Sequence, residues 1–332
     1  MLNSFVDDLS TFAASFSERG RQIFSSPLQW VLLANGDADF HDNVIFFGFI
    51  EKQDDPVLVA KVPRLLENGW MLQTEYDHLV ELWNCIGEEA AQYVPKPYGM
   101  SVLQERPVLM ISYVPGESLA RLSSRSFWES EDSVSALAGE AARALRGLNR
   151  LTETPIVDRD VRDSHFQEKA DKFRELFPLT PQEERALAKL VERVEISAAS
   201  ASHRVLIQGD FWHGNMIRSR GKLMLVDWQF AHWSADVSMD VYFFLLAGAL
   251  SATRDAAAAF RLLEHWRARV IPEYLAAYGK PDHYALLPLK YGMQLCCVEK
   301  AVRPALEFGY SHPDDAVWRS LFTELMNLPD EE

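Results

Sequence analysis

Two kinds of hydrophobic pattern divide the chain. Up to about residue 114, short runs of β-branched and aromatic residues alternate with turn-forming Asn, Asp, Gly and Pro, and such runs predict strands. Beyond Pro115-Gly116, apolar residues recur at helical spacing, interrupted by one β-rich stretch at residues 204–227. The pattern predicts a β-rich N-terminal lobe (residues 1–114) and a larger, mostly helical C-terminal lobe (residues 115–332).

Within the N-terminal lobe, the pattern predicts an antiparallel sheet accompanied by two helices. We expect the helices at about residues 3–25 and 71–92, and the strands at 29–34, 43–50, 57–62, 98–103 and 108–113. In the C-terminal lobe, helices are expected at about residues 131–151, 161–176, 180–197, 236–250, 254–278 and 285–308. One of them opens on Thr180-Pro181-Gln182-Glu183, a capping-box spacing with Pro at the first helical position. The expected fold class is α+β.

Composition places the chain among ordinary globular proteins and narrows its possible partners. Its 332 residues include 33 basic and 48 acidic side chains, which give a formal net charge of −15, and 48% of the residues are hydrophobic. Such a chain can bury a large core. An acidic protein without local basic clusters is poorly suited to a nucleic-acid backbone, so nucleic acid is not expected as a partner. The acid excess favours solubility and gives a weak hint of a cationic substrate.

Cysteine usage and the N-terminal sequence predict a cytoplasmic protein. The three cysteines, Cys85, Cys296 and Cys297, form no disulfide framework and no CxxC pair, which is typical of a reducing compartment. Met1–Asp8 carries acids where a secretory signal would carry basic residues. The longest apolar run, Val241–Leu250, is about half of the roughly 20 residues needed to span a membrane. No membrane segment is therefore expected.

The β-rich stretch carries the clearest chemical pattern. An apolar strand leads into Asp210, Asn215 follows five residues later beside a second strand, and a third strand ends at Asp227. Two carboxylates and an amide at strand ends suit phosphoryl transfer. One carboxylate can orient an attacking hydroxyl, while the amide and the other carboxylate supply hard oxygen ligands for Mg²⁺. Asp210 or Asn215 alone would favour a plain loop residue that forms an Asx-turn, and it is their joint spacing, flanked by apolar strands, that favours function.

These residues resemble the signature of a known family. Asp210-x4-Asn215 followed by Val226-Asp227-Trp228 is similar to the pattern of the aminoglycoside phosphotransferase and choline kinase group. These are small-molecule kinases with a two-lobed, protein-kinase-like fold. The resemblance implies ATP and Mg²⁺ as cofactors, Asp210 as the catalytic base, and Asn215 and Asp227 as metal ligands. Gln208 stands where the family usually has a structural His, and Gln can also donate and accept hydrogen bonds.

A later acid of the family supports the catalytic loop, and two residues compete for this match. Asp240, in Ser238-Met239-Asp240-Val241-Tyr242, is the better match, and Asp236 is its rival. By resemblance, neither is expected to touch the substrate.

The N-terminal lobe supports the same interpretation. Lys61 lies late in an apolar strand, from which a cation can reach nucleotide phosphates. Glu75, early in the following helix, resembles the family's partner for this lysine, with Glu81 as a weaker alternative. A solubilising edge-strand lysine and a solvated helix-start acid are the plain structural alternatives. By resemblance, the backbone of Ser112 and Val114 in the lobe connector would hydrogen-bond adenine.

The segment Asn35–Asn43 lies where a kinase nucleotide loop would lie. It contains only one glycine, Gly36, together with three acids. Its backbone N–H groups could face phosphate, but an ordinary hairpin turn is a nearly equal alternative.

The acceptor site is the least determined part of the sequence. Trp212 is the best candidate for an acceptor contact because it lies inside the predicted catalytic loop, although core packing is the common role of a tryptophan. Five acids of the C-terminal lobe could meet a cationic acceptor, although a solvated helix face is the better expectation for each of them. These acids are Asp163, Glu168, Glu264, Glu299 and Glu307.

The sequence therefore predicts an ATP- and Mg²⁺-dependent phosphotransferase that moves the γ-phosphate to a hydroxyl of a small molecule. The resemblance implies an aminoglycoside, a choline-like compound, a sugar or a related metabolite as the acceptor, and a monomer or homodimer is expected. Two alternatives remain open. One is a non-catalytic nucleotide-binding regulatory protein of the same fold. The other is a protein kinase, which is disfavoured because Asp227-Trp228-Gln229 leads into no long activation segment.

Overall fold

The computed structural model describes residues 2–18, 21–22, 28–33, 43–121, 125–157, 165–310, 312 and 314–330. Its α-helices are α1 (Leu2–Ala14), α2 (Gly69–Ile86), α3 (Arg125–Glu129), α4 (Glu131–Thr152), α5 (His165–Leu176), α6 (Pro181–Ser200), α7 (Ser238–Thr253), α8 (Ala256–Trp266), α9 (Val270–Tyr278), α10 (Leu289–Glu307) and α11 (Asp315–Leu325). Its strands are β1 (Ser17–Glu18), β2 (Arg21–Gln22), β3 (Leu28–Leu33), β4 (Asn43–Ile50), β5 (Leu58–Pro63), β6 (Pro97–Leu103), β7 (Arg106–Ser112), β8 (Glu117–Ser118), β9 (Thr154–Pro155), β10 (His203–Ile207), β11 (Met216–Ser219), β12 (Lys222–Leu225) and β13 (His232–Ser234).

The chain forms two compact units whose boundaries differ from the predicted division at residue 114. The N-terminal unit consists of Met1–Glu117 and Ile217–Ala231, and the C-terminal unit consists of Ser118–Met216 and His232–Glu332. The sequence prediction assigned 217–231 to the helical lobe because helical stretches surround it on both sides. This segment joins the N-terminal unit through long-range backbone bonding, including the N–H of Leu225, which donates to the carbonyl of Tyr93 at 2.7 Å.

A five-stranded antiparallel sheet, ordered β3-β4-β5-β7-β6, forms the frame of the N-terminal unit. β5 lies at its centre, and all six of its residues are buried. Helix α1 covers one face, where Phe5 and Leu9 pack with Leu58, Ala60 and other sheet residues. Because side chains alternate across a strand, Lys61 projects from β5 to the opposite face, towards α2.

Helix α7 is the central element of the C-terminal unit. It is apolar all round and buried along nearly its whole length, which is typical of a helix enclosed by other helices. Helices α8 and α10 pack against it, and α11 packs against α10. A small antiparallel sheet, ordered β13-β10-β9, leads through β10 to the 208–215 loop. None of the described helices is long and apolar enough to cross a membrane.

Several predicted helices end earlier than expected. Helix α1 ends at Ala14 rather than near residue 25, and α2 gives way to a 3-10 turn at residue 87. The single helix expected at 254–278 is two helices, α8 and α9. Pro272 explains the break, because proline is tolerated only in the first turn of a helix and here lies at the third position of α9. Helix α11 was not predicted.

Other local predictions are confirmed. Strand β4 has the predicted bounds. The capping box of α6 is formed, since the N–H of Glu183 donates to Thr180 Oγ1 at 3.3 Å and the N–H of Thr180 donates to Glu183 Oε2 at 2.8 Å. The proposed nucleotide loop at Asn35–Asn43 lies outside the described residues except for Asn43, the first residue of β4.

Candidate active site

The 208–215 loop follows β10 and is fixed by the carboxylate of Asp240. The backbone N–H groups of Gln208 and Gly209 donate to Asp240 Oδ2 and Oδ1 at 2.6 and 2.8 Å. Gly209 has a φ of 74°, a left-handed conformation that is costly for other residues. Asp240 is completely buried in the first turn of α7. The central helix thus holds the loop by two hydrogen bonds to one buried carboxyl group.

Asp236, the rival of Asp240 in the sequence, bonds elsewhere. Its Oδ1 accepts from the N–H of Ser238 at 2.7 Å, and its Oδ2 accepts from Ser197 Oγ at 2.8 Å. It therefore caps the start of α7 and links this region to Ser197 of α6. Burial raises the pKa of Asp240 to about 7, although the two N–H donors partly oppose this shift.

Within the loop, Asp210 is held from both sides by short hydrogen bonds. Its N–H donates to Gln208 Oε1 at 3.0 Å. Asn215 Nδ2 donates to Asp210 Oδ2 at 2.9 Å and to the Asp210 carbonyl at 3.1 Å. Gln208 and Asn215 are both buried. Gln208 therefore positions the aspartate through an acceptor oxygen, and the pair Asp210 and Asn215, predicted from spacing, is in direct contact.

Two cations from α10 contact Asp210, and the sequence prediction missed both. Lys300 Nζ forms a hydrogen-bonded ion pair with Asp210 Oδ1. Arg303 Nη1 lies 3.7 Å from the same oxygen, and its Nη2 donates to the carbonyl of Gly209 at 2.8 Å. We call Asp210, Lys300 and Arg303 the Asp210 cluster. Helical spacing of three residues places both cations on one face of α10.

Charge compensation keeps Asp210 ionised. Burial alone would raise the pKa of its carboxyl, but Lys300 and Arg303 more than offset this and lower it. Lys300 shows the opposite balance: burial and the nearby Arg303 lower its pKa to about 8, although Asp210 opposes the shift. At neutral pH the cluster therefore holds one carboxylate and two cations.

The N-terminal unit contains a second ionic group around Lys61. Lys61 Nζ donates to Glu75 Oε1 and Oε2 at 2.7 and 2.9 Å, and it also forms a hydrogen-bonded ion pair with Asp227. We call these three residues the Lys61 cluster. Burial alone would lower the pKa of Lys61, but the carboxylates of Asp227 and Glu75 together raise it above its ordinary value. Lys61 is therefore a permanent cation, and the edge-strand alternative is wrong because β5 is central.

Asp227 differs from its two partners in exposure and backbone. Its side chain is 39% exposed, against 7% for Lys61 and 0% for Glu75. Its φ of 60° lies in the left-handed region, which Asp tolerates better than most residues. The two predicted metal ligands, Asp227 and Asn215, have the oxygen donors that Mg²⁺ prefers. The two hydrogen bonds that the Asn215 side chain donates to Asp210 use only its amide nitrogen, so its Oδ1 takes no part in them.

The predicted adenine contacts lie at the end of β7. The N–H of Ser112 donates to the carbonyl of Lys96 at 2.8 Å, so a contact with a base would have to use the Ser112 carbonyl oxygen. Ser112 and Val114 line a cavity of about 550 Å³ within the N-terminal unit, together with Trp83 and Lys96.

A second cavity, of about 480 Å³, opens beside Asp210 in the C-terminal unit. Trp212, Phe243 and Trp318 form its aromatic wall, and Lys300 and Arg254 line it as well. Trp212, the residue predicted to contact the acceptor, therefore lines the same cavity as Asp210. Gly214 makes room for it, because a Cβ at this position would lie 2.3 Å from the Trp212 ring.

The other tryptophans and the candidate acids lie differently. Trp228 is fully buried and donates to the carbonyl of Leu225 at 3.2 Å, which is a core role. Among the acids, Glu299 pairs with Lys169 and Glu264 with Arg267. The residues that line the Asp210 cavity include none of the five candidate acids, of which Asp163 lies outside the described part of the chain.

The chain matches a known protein family over more than half of its length. A sequence model described as "Phosphotransferase enzyme family" matches residues 76–289. No protein of curated function matches the chain.

Solved structures show a similar fold over nearly the whole chain. One is a thermostable mutant of the aminoglycoside phosphotransferase APH(4)-Ia, in complex with ADP and hygromycin B. It has 13% identity and a TM-score of 0.56, with 97% of this chain and 98% of that chain covered. Another is a choline/ethanolamine kinase family protein from Mesorhizobium loti, with 14% identity, a TM-score of 0.55, and 98% and 96% of the two chains covered. At such identities the likeness concerns the fold, and it confirms the α+β, protein-kinase-like architecture.

Proposed function

Because the chain belongs to the phosphotransferase enzyme family, we propose that it transfers the γ-phosphoryl group of ATP to a hydroxyl of a small molecule, with Mg²⁺ as the metal. The observation that carries this proposal is the position of the Asp210 carboxylate. It is fixed by Gln208 and Asn215 and lies at the wall of a cavity of small-molecule size.

The reaction replaces one P–O bond by another. The acceptor hydroxyl oxygen bonds to the γ-phosphorus, the bond from the γ-phosphorus to the β–γ bridging oxygen breaks, and ADP leaves with that oxygen. Asp210 accepts the hydrogen bond of the acceptor hydroxyl and then its proton. Because the pKa of Asp210 is lowered, this carboxylate mainly orients the hydroxyl, and it takes the proton once the new bond has largely formed.

The remaining residues act on charge and position. Lys61, held by Glu75, would bind nucleotide phosphate, since a buried lysine with a raised pKa keeps its charge. Asn215 and Asp227 would hold Mg²⁺, and the bound ion would neutralise charge on the phosphate oxygens. Asp240 keeps the loop backbone in place and takes no direct part.

The decisive variant is Asp210→Asn, assayed by ADP release with Mg²⁺ and a panel of hydroxyl acceptors. We expect acceptor-dependent kcat to fall about 100-fold or more, the usual range for a lost general base. Asp236→Asn is the matched control. It keeps an acceptor oxygen for Ser238, lies outside the 208–215 loop, and should leave kcat nearly unchanged.

Two outcomes would contradict the proposal. One is acceptor-dependent turnover by Asp210→Asn at the wild-type rate, with thermal unfolding confirming that both proteins are folded. The other is nucleotide binding by the wild type with no ADP release for any acceptor, which would favour the non-catalytic regulatory alternative.

A further inference from the structure

Three side chains that commonly bind metals meet at one end of the small sheet of the C-terminal unit. Glu153 follows α4, His203 opens β10, and His283 lies in the segment before α10. One ligand atom from each side chain lies within 4.8 Å of the ligand atoms of the other two. We call these three residues the His203 triad. All of them belong to the C-terminal unit, and none has a role in the proposed phosphate transfer.

Backbone hydrogen bonds fix the positions of the triad. Strand β9 pairs with β10 in an antiparallel arrangement, and Glu153 directly precedes β9. The carbonyl of His283 accepts from the N–H groups of Ser202 and His203 at 2.9 and 3.0 Å. Three residues that are far apart in the chain are therefore brought together by the main chain, and their proximity does not depend on contacts between exposed side chains.

The hydroxyl of Ser202 orients the His203 ring. Ser202 Oγ lies 2.9 Å from His203 Nδ1 and donates to the carbonyl of His283 at 3.4 Å. A hydroxyl whose hydrogen is used in this way accepts from Nδ1–H, which leaves the lone pair of His203 Nε2 for a metal. Imidazoles that bind metals usually have such a partner at their second nitrogen.

The donor set suits a transition metal. Two imidazoles and one carboxylate are typical ligands of Zn²⁺, whereas Mg²⁺ and Ca²⁺ prefer oxygen alone. Tetrahedral Zn²⁺ holds its ligand atoms about 3.3–3.6 Å apart, so the triad must close by up to about 1.5 Å. The exposed ring of His283 can turn to do so. His283 also lines a cavity of about 460 Å³, through which water can reach the fourth position on the ion.

Ring packing and ion pairing are the plain alternatives to a metal. The two imidazole rings of the triad pack with their centres 4.8 Å apart. Arg146 and Arg150 of α4 lie close to the Tyr284 phenol, as does Glu153, so the neighbourhood also contains cations. Among the ion pairs of the described residues, however, none includes Glu153. Neither alternative uses all three side chains, and selection of the ion depends on the neutral imidazoles more than on net charge.

We propose that Glu153, His203 and His283 bind one divalent transition-metal ion, for which Zn²⁺ is the best match. The ion joins the end of α4, the start of β10 and the segment before α10. The five residues of β10, at about 3.3 Å each, separate it from the 208–215 loop. It therefore stabilises the C-terminal unit and takes no part in phosphate transfer.

The test titrates the metal-free, full-length protein with Zn²⁺ in competition with a chromogenic chelator. Millimolar Mg²⁺ is present throughout, so that the proposed Mg²⁺ ligands are occupied. We expect one Zn²⁺ per chain with a Kd of about 1 µM or tighter, and neither Mg²⁺ nor Ca²⁺ should displace it. Zn²⁺ at 100 times its Kd should raise the midpoint of thermal unfolding by about 3–6 °C, because the ion binds the folded state.

Variants identify the ligands. Glu153→Gln and His283→Gln should each weaken Zn²⁺ binding by about 100-fold or more, since even the outer partners of metal ligands contribute 10–100-fold. His265→Gln is the matched control, because this histidine of α8 is also exposed and lies outside the triad. Cys85→Ser is the second control, because Cys85 is an exposed thiol. Both controls should keep the wild-type affinity, and thermal unfolding without metal shows whether each variant is folded.

Three results would overturn the proposed site. The first is no Zn²⁺ binding, or Zn²⁺ that equal concentrations of Mg²⁺ or Ca²⁺ displace. The second is wild-type affinity in folded Glu153→Gln or His283→Gln. The third is a loss of affinity in His265→Gln or Cys85→Ser as large as that of the triad variants, which would place the ion elsewhere. None of these measurements uses ADP release, so the result is independent of the proposed function.

Discussion

The Lys61 cluster and the Asp210 cluster have opposite charge ratios. In the first, one lysine lies between two carboxylates, and in the second, one carboxylate lies between two cations. Counted over these residues alone, the unbalanced charge is negative in the Lys61 cluster and positive in the Asp210 cluster, where Glu307 lies 3.9 Å from Arg303 and offsets part of it. The surplus carboxylate of the Lys61 cluster belongs to Asp227, the residue proposed above as a Mg²⁺ ligand.

The two clusters also differ in which member faces water. In the Lys61 cluster the surplus carboxylate belongs to Asp227, which is 39% exposed, whereas the pair of Lys61 and Glu75 is buried. In the Asp210 cluster all three side chains are at most 18% exposed. Water can therefore solvate the unbalanced charge of the first cluster but much less that of the second.

The largest effect on stability is expected from Lys61→Met. It leaves Glu75 buried without a cation, and breaking such a pair costs about 3–5 kcal/mol in the free energy of unfolding. Adding Glu75→Leu should recover most of this loss, because an apolar pair replaces an uncompensated charge. Phosphotransfer should be lost in both variants. Urea unfolding measures the first effect and ADP release the second. If the double variant were no more stable than Lys61→Met, the buried pair would not be the reason for the loss.

A smaller effect is expected from the titration of Lys300. Its pKa falls from the ordinary value of 10.5 to about 8 in the folded protein. Between these values the unfolded chain holds a proton that the folded protein has released, so the free energy of unfolding rises with pH. The slope from this one group is at most about 1.4 kcal/mol per pH unit.

The slope is measured as a difference between proteins, because other groups titrate in the same range. Urea unfolding at several pH values from 8 to 10.5 should give a smaller slope for Lys300→Met than for the wild type. Lys169→Met, which removes a partly exposed lysine paired with Glu299, should keep the wild-type slope. Equal slopes for Lys300→Met and the wild type would show that folding does not lower the pKa of Lys300.

The smallest effect on stability is expected from Asp227→Asn. Its ion pair with Lys61 is partly exposed, and such pairs contribute about 0–1 kcal/mol. The proposed role of Asp227 as a Mg²⁺ ligand predicts a separate effect on activity. Asp227→Asn should need a higher Mg²⁺ concentration for half-maximal ADP release. A loss of stability as large as that of Lys61→Met would contradict the expectation that the exposed Asp227 contributes less to the free energy of unfolding than the buried pair of Lys61 and Glu75.

The sequence predicted contacts whose partners are near in the chain or joined by a known motif. Lys61 and Glu75 are in adjacent elements, and Asp210 and Asn215 share one loop. Lys300 was missed because it is 90 residues from Asp210 and lies in a helix whose apolar pattern indicates only packing. Its neighbour Glu299 was named instead as a candidate acceptor contact, because a helical pattern does not specify which polar residue faces a cavity.

The same limit applied to the fold. The strands of the N-terminal sheet were predicted because alternation and turn residues are local signals. The break between α8 and α9 was missed although Pro272 is a local signal for it. The assignment of residues 217–231 to the N-terminal unit could not be predicted, because it depends on pairing with distant backbone.

The division of the N-terminal unit into two chain segments has a consequence for biosynthesis. Asp227 follows Lys61 by 166 residues, so the ribosome delivers the lysine and Glu75 long before their third partner. A nascent chain that ends at residue 117 contains all five strands of the sheet but lacks the segment from Ile217 to Ala231. Maturation of the Lys61 cluster must therefore wait until the first segment of the C-terminal unit, Ser118–Met216, has been translated, and a gene fragment cut at residue 117 encodes an incomplete unit.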